Sequence, residues 1–189
     1  MHPPLQAIQQ ELRDKADPKA IAFFNTMVPG AQKIYGVKTP VLNELAKTYK
    51  EHGFELADAL WESGALEEKI IAIKILEKMG KKDPKRLFKL IQQFAKGIDN
   101  WAVCDAIGMQ GFRSIVKTHR DEIFNLAEKY NRSKDPWQRR LSLVMVEWYT
   151  RQPGTHTDIK KLVKTLENDE EYYVKKAVAW IKRNFSKEK

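Results

Sequence analysis

Asp99-Asn100-Trp101-Ala102-Val103-Cys104-Asp105-Ala106-Ile107-Gly108 sets an aromatic ring and a carboxylate four residues apart. In a helix that spacing puts Trp101 and Asp105 on one face, one turn apart. Asn100 or Asp99 supplies a short acceptor to cap the helix start. The stretch is also one copy of a repeat. Trp101–Gly111 aligns with Leu66–Leu76, Trp137–Glu147 and Tyr173–Arg183. The last three segments begin 36 residues apart, and the first falls into line within a residue. A helical pattern returning at a fixed interval predicts stacked helix pairs, each burying its apolar face against the next. The expected fold is therefore an all-α solenoid. Equivalent positions in such a stack line one concave surface. Arg140 and Lys176 are equivalent, Cys104 shares their column, and Asp105 lies one step beside it. One acid among bases on such a surface is a candidate site.

Composition narrows the class. The 189 residues are 42% hydrophobic and 31% charged, enough for one domain with a core or one short solenoid. The longest run without a charged residue, Ala20 to Gln32, is 13 residues, short of the roughly 20 that a membrane helix needs. The opening residues show no cationic segment leading into an apolar run, so no signal peptide is expected. One cysteine, Cys104, excludes an internal disulfide and a multi-cysteine zinc site. These features predict a cytoplasmic chain, monomeric by default, without a membrane partner. The net charge is +9. It is spread along the chain, with 16 basic and 12 acidic residues up to Ile98 and 18 and 13 after it. Such a surplus fits a polyanion, nucleic acid first, and equally fits ordinary variation in a lysine-rich protein.

From the N-terminus, apolar spacing and Asp-Pro or Thr-Pro starts predict about a dozen helices. Leu5, Ile8 and Leu12 define the first, from Pro3 to Asp17. Asp17-Pro18, Thr39-Pro40, Asp83-Pro84 and Asp135-Pro136 each open another. A helix is expected at Phe112 to Lys117, one from Asp135 to about Arg151, one from Thr157-Asp158 to Glu167, and the last from Asp169 to Phe185. No alternating run argues for a sheet. The start at Thr39, beside Lys38, is either a phosphate-binding helix end or a plain loop and cap.

Several chemistries lack their residues. No glycine-rich phosphate loop is present. His2, His52, His119 and His156 are scattered, which argues against a histidine metal site. Cys104, between Val103 and Ala106 on an apolar turn, reads as a small core residue. Most tryptophans in repeat helices are packing, but Trp101 opens its helix beside an acid and Trp180 precedes Lys182 and Arg183. Asp105 has no local cation. It is either paired with a base from the next repeat, such as Arg140, or functional.

Tyr35-Gly-Val-Lys-Thr-Pro40, Leu60-Trp-Glu-Ser63 with Glu67, Asn100-Trp101 with Asp105, Trp137 with Arg140, and Tyr173-Val-Lys-Lys-Ala-Val-Ala-Trp180 come in one order and spacing. Together they resemble the AlkD-like DNA alkylation repair glycosylases, over nearly the whole chain from Tyr35 to Phe185. The resemblance implies a curved, right-handed solenoid of HEAT-like repeats, one domain over residues 1–189, holding double-stranded DNA on a concave basic face. It implies release of positively charged N-alkylated purines, chiefly N3-methyladenine and N7-methylguanine. The N-glycosidic bond would be hydrolysed without base flipping, and no metal or redox cofactor is required. The family's two Trp, Asp and Arg map onto Trp101, Trp180, Asp105 and Arg140. By the same matching Lys38, Thr39 and Arg183 fall at DNA-backbone contacts, and Arg139 and Lys176 are counted with them. Ala102 and Asn43 depart from residues common in relatives, and the chain stops at Lys189 where longer members continue. The alternative to an enzyme is a non-catalytic HEAT-like module that binds nucleic acid or a protein partner.

Overall fold

A computed structural model describes residues 3–31 and 33–186. His2, Gln32 and Lys189 lie outside the described residues. Among the described residues the chain is all-helical, with short 3-10 turns and no strand. It divides into two compact units, Met1–Phe94 and Ala95–Lys189.

The first unit holds α1 (Pro3–Asp14), α2 (Pro18–Met27), α3 (Thr39–Tyr49), α4 (Gly53–Glu62), α5 (Leu66–Met79) and α6 (Pro84–Phe94). Of the apolar triad that defines α1, Ile8 and Leu12 are fully buried. Asp17 caps α2 as its Asp-Pro start predicts, its carboxylate accepting the Lys19 N–H at 2.9 Å. At α3 the cap position is Lys38, in extended backbone, and Thr39 is already helical. The Lys38 side chain makes no cap hydrogen bond. The expectation of Thr39 as cap is thus corrected by one residue. α5 packs against α3 and α4 and is buried almost all round. Its run Ile71, Ala72, Ile73, Ile75 and Leu76 has neighbours on every side. Beside it Trp61 stacks on Phe94 with ring centroids 4.2 Å apart, and the Lys69 ammonium lies 5.2 Å from the indole centroid.

The second unit holds α7 (Trp101–Ala106), α8 (Arg120–Asn131), α9 (Pro136–Val144), α10 (His156–Thr165) and α11 (Tyr172–Ser186). α9 is its hub, packing against α7, α8, α10 and α11. Four expectations are corrected here. The helix begun at Trp101 is α-helical for six residues and then widens into a π-turn, Ile107–Gly111. Phe112 to Lys117 is not a helix but a chain of tight turns, with Ile115 N–H on the Phe112 carbonyl at 2.9 Å. Gly111 before it and the successive β-branched Ile115 and Val116 within it disfavour a helix over this segment. α9 stops at Val144, and Glu147–Arg151 follows as a 3-10 turn. α10 begins at His156, slightly earlier than Thr157-Asp158 suggests.

Candidate active site

The second unit brings Asp105 and Arg140 together. Asn100 caps α7, its side-chain oxygen accepting the Val103 N–H at 3.0 Å, while the Asp99 carboxylate accepts the Asn100 amide at 2.7 Å. Trp101 opens the helix and is half-buried; Asp105 follows one turn later. On α9, Asp135 accepts the Trp137 N–H at 2.8 Å, which fixes the helix start and the position of Arg140. The Arg140 guanidinium then meets Asp105 in two parallel bonds, Nε to Oδ1 and Nη2 to Oδ2, each 2.9 Å. This is the bidentate geometry in which arginine binds carboxylates best.

A third bond locks the arginine. Its Nη1 donates to the Tyr173 carbonyl of α11 at 2.6 Å. The Tyr173 ring stacks on Trp137, centroids 5.0 Å apart, and the guanidinium carbon sits 6.0 Å from that ring. Trp137 and Tyr173 carry no role in the sequence reading, yet they hold the arginine. The signal was present, because Trp137 and Tyr173 occupy equivalent repeat positions 36 residues apart.

The pair is unequally covered. The Arg140 side chain keeps 8% of its exposure and Asp105 keeps 22%. The arginine is therefore interior, and the carboxylate reaches solvent. Burial pushes the Asp105 carboxyl above its ordinary range, and the hydrogen bonds and charge of Arg140 oppose that rise without cancelling it. Cys104 is fully buried, as expected of a core residue. Its thiol is held 3.7 Å from the Trp137 carbonyl and its pKa is pushed up by burial.

Tyr173, Lys176, Trp180 and Arg183 recur at three- and four-residue steps and share one stripe of α11. Trp180 is half-buried; Lys176 and Arg183 are exposed. Lys176 lies 5.5 Å from the centroid of the exposed Tyr172 ring. Arg139 points elsewhere. It bonds the Asp169 carboxylate at 2.6 and 3.3 Å and the Ser133 and Lys134 carbonyls at 3.0 and 2.9 Å. Four donors are spent on a clasp between the start of α9 and the turn before α11. In the first unit, Lys38 and Thr39 are exposed at the start of α3. Among the described residues, no three His, Cys, Asp or Glu side chains are grouped to hold a metal ion. No helix there is long and apolar enough to cross a membrane.

A sequence profile described as DNA alkylation repair enzyme matches residues 8–189, nearly the whole chain. A comparison with curated proteins returns no match. The profile runs from the middle of α1 through α11 and includes the Asp105–Arg140 pair, and the chain belongs to the DNA alkylation repair enzyme family.

Proposed function

We propose that this protein is a DNA glycosylase that hydrolyses the N-glycosidic bond of positively charged N-alkylated purines, such as N3-methyladenine and N7-methylguanine, in duplex DNA and without base flipping. The observation that carries this reading is a solvent-reaching carboxylate held in fixed orientation by an interior arginine, on a helix that opens with a tryptophan. An alkylated purine with a fixed positive charge is already a good leaving group. As the C1′–N bond breaks, its electron pair leaves with the base, which departs neutral, and the sugar becomes oxocarbenium-like. The Asp105 carboxylate stabilises that charge and takes the proton of the water that adds to C1′. The indole faces of Trp101 and Trp180 attract the cationic species, at about 0.5–2 kcal/mol each. Arg140 opposes the effect of burial on Asp105 and aims its carboxylate. Lys38, Thr39, Lys176 and Arg183 bind the DNA backbone, and Arg139, clasped to Asp169, contributes mainly by holding α9 in place.

A second reading has one observation in its favour. Arg140 is almost wholly interior, and its guanidinium bonds the Asp105 carboxylate and the Tyr173 carbonyl, as in a structural tie of a non-catalytic module binding nucleic acid or protein. Incubation with duplex DNA containing N7-methylguanine separates the two. Release of free base by the wild type, with Asp105→Asn reduced at least about 100-fold and still binding DNA, is the expected result for a charge-stabilising group of this kind. Release by neither protein, on N3-methyladenine as well, sinks the glycosylase and leaves the binding module.

A further inference from the structure

The segment leading into α3 is held at successive points by the first turn of α5. The Leu66 N–H donates to the Lys33 carbonyl at 2.9 Å. The Glu67 carboxylate accepts three backbone N–H groups in a row, from Tyr35 at 3.0 Å, Gly36 at 2.7 Å and Val37 at 3.1 Å. Glu68 accepts the Tyr35 hydroxyl at 2.7 Å and the Gln9 amide at 3.2 Å. Glu67 is 2% exposed. Gly36 has φ +75°, and a Cβ there would lie 2.6 Å from the Asp17 carbonyl and 2.8 Å from the Ile21 nitrogen. The backbone is thus pinned from both sides, and it emerges at Lys38 and Thr39, the first exposed residues after the buried Gly36 and Val37.

A buried carboxylate is an expensive way to hold a loop. It repays its desolvation only when its oxygens accept hydrogen bonds, as both do here. Its effect is to remove the freedom of residues 35–37, so that Lys38 and Thr39 are presented in one geometry. We infer that Glu67 is a positioning residue for DNA binding, acting through the Tyr35–Val37 backbone on the contact made by Lys38 and Thr39. The inference rests on the reading of those two residues as DNA-backbone contacts. A preorganised contact does not spend ordering entropy on binding, and that saving is what loss of Glu67 removes.

The test is a double-mutant cycle on undamaged fluorescent duplex at low salt, read by anisotropy well below the unfolding temperature. Lys38→Ala is expected to weaken binding about fivefold, a single phosphate contact. Glu67→Gln, of the same shape but unable to accept all three N–H groups, is expected to weaken it about five- to tenfold. The double variant should bind within about twofold of the weaker single variant, since both act on one contact. Single-turnover excision at saturating DNA should be unchanged in Glu67→Gln. A purely structural role predicts a lowered melting temperature with wild-type affinity, or losses that multiply; either overturns the inference. If Lys38→Ala binds as wild type, the Lys38 contact itself falls and the inference with it. If Glu67→Gln is unfolded at the assay temperature, Glu67→Asp replaces it, since a carboxylate one methylene shorter cannot reach all three N–H groups. That variant should weaken binding about threefold, and not at all in a Lys38→Ala background. Wild-type affinity of Glu67→Asp overturns the inference.

Discussion

Asp105 is pulled in two directions, and its proposed use depends on the balance. Burial favours the protonated acid; Arg140 favours the carboxylate, and burial wins. The ionised form is the one that stabilises an oxocarbenium ion, so excision should fall as pH drops through a pKa above the ordinary 3.8. Replacing Arg140 by Ala removes both influences that lower that pKa. The acid limb of the pH–rate profile should then move to higher pH, and the plateau rate should drop because the carboxylate is no longer aimed. Single-turnover rates from acid to neutral pH measure both. A limb that stays in place in Arg140→Ala would show that Asp105 is not the titrating group. The pairing itself was legible, because Asp105 has no local cation and Arg140 recurs beside it in the next repeat. The third arginine bond was not. It goes to a backbone carbonyl, and every residue has one, so residue type carries no signal. Arg139 shows the same limit from the other side. Its neighbour in sequence faces the site, while it closes a clasp on Asp169. Burial raises that carboxyl, but the bonds and charge of Arg139, the Glu171 N–H and the charge of Lys175 together hold it below its usual range.

At the level of elements, the 36-residue period predicted the helices well and their ends poorly. Helix starts were legible wherever Asp preceded Pro, since cap and φ restriction coincide there. Helix ends depend on tertiary approach. The helix after Trp101 illustrates this: it widens at Ile107 because Gly108 lies against α9. A Cβ on Gly108 would fall 2.6 Å from Val144 Cγ1 and 3.0 Å from the Met145 nitrogen. The closeness of α7 to α9, and hence the reach of Arg140 to Asp105, rests on a missing methyl group. Gly108→Ala should destabilise the protein by about 1–3 kcal/mol through overpacking, despite alanine's better helix propensity. It should also lower excision more than DNA binding, because the strain falls one turn from Asp105. Denaturant unfolding with excision assays on the same variant checks this; a neutral or stabilising substitution would mean that α9 shifts freely and that the Asp105–Arg140 pair is not held rigidly.

For the whole molecule the governing quantity is charge. The surplus of +9 is shared by both units: residues 1–94 carry 15 basic and 12 acidic side chains, and residues 95–189 carry 19 and 13. Neither unit alone owns the basic character, and no basic tail concentrates it. Some of this charge is internally committed, with Arg139, Arg140 and Arg86 spent on carboxylates. With Lys38, Lys176 and Arg183 as the proposed contacts, log affinity against log salt should fall with a slope near −3, at about −0.9 per phosphate. Lys176→Ala should reduce that slope by about one and weaken alkylated and undamaged duplex equally, since phosphate contacts carry no lesion information. Arg139→Ala should leave the slope unchanged and instead lower the melting temperature. Titrations at four salt concentrations with the three proteins decide it. A wild-type slope near zero would remove DNA as the partner of these residues. An Arg139→Ala slope reduced like that of Lys176→Ala would show that the Asp169 clasp opens on DNA.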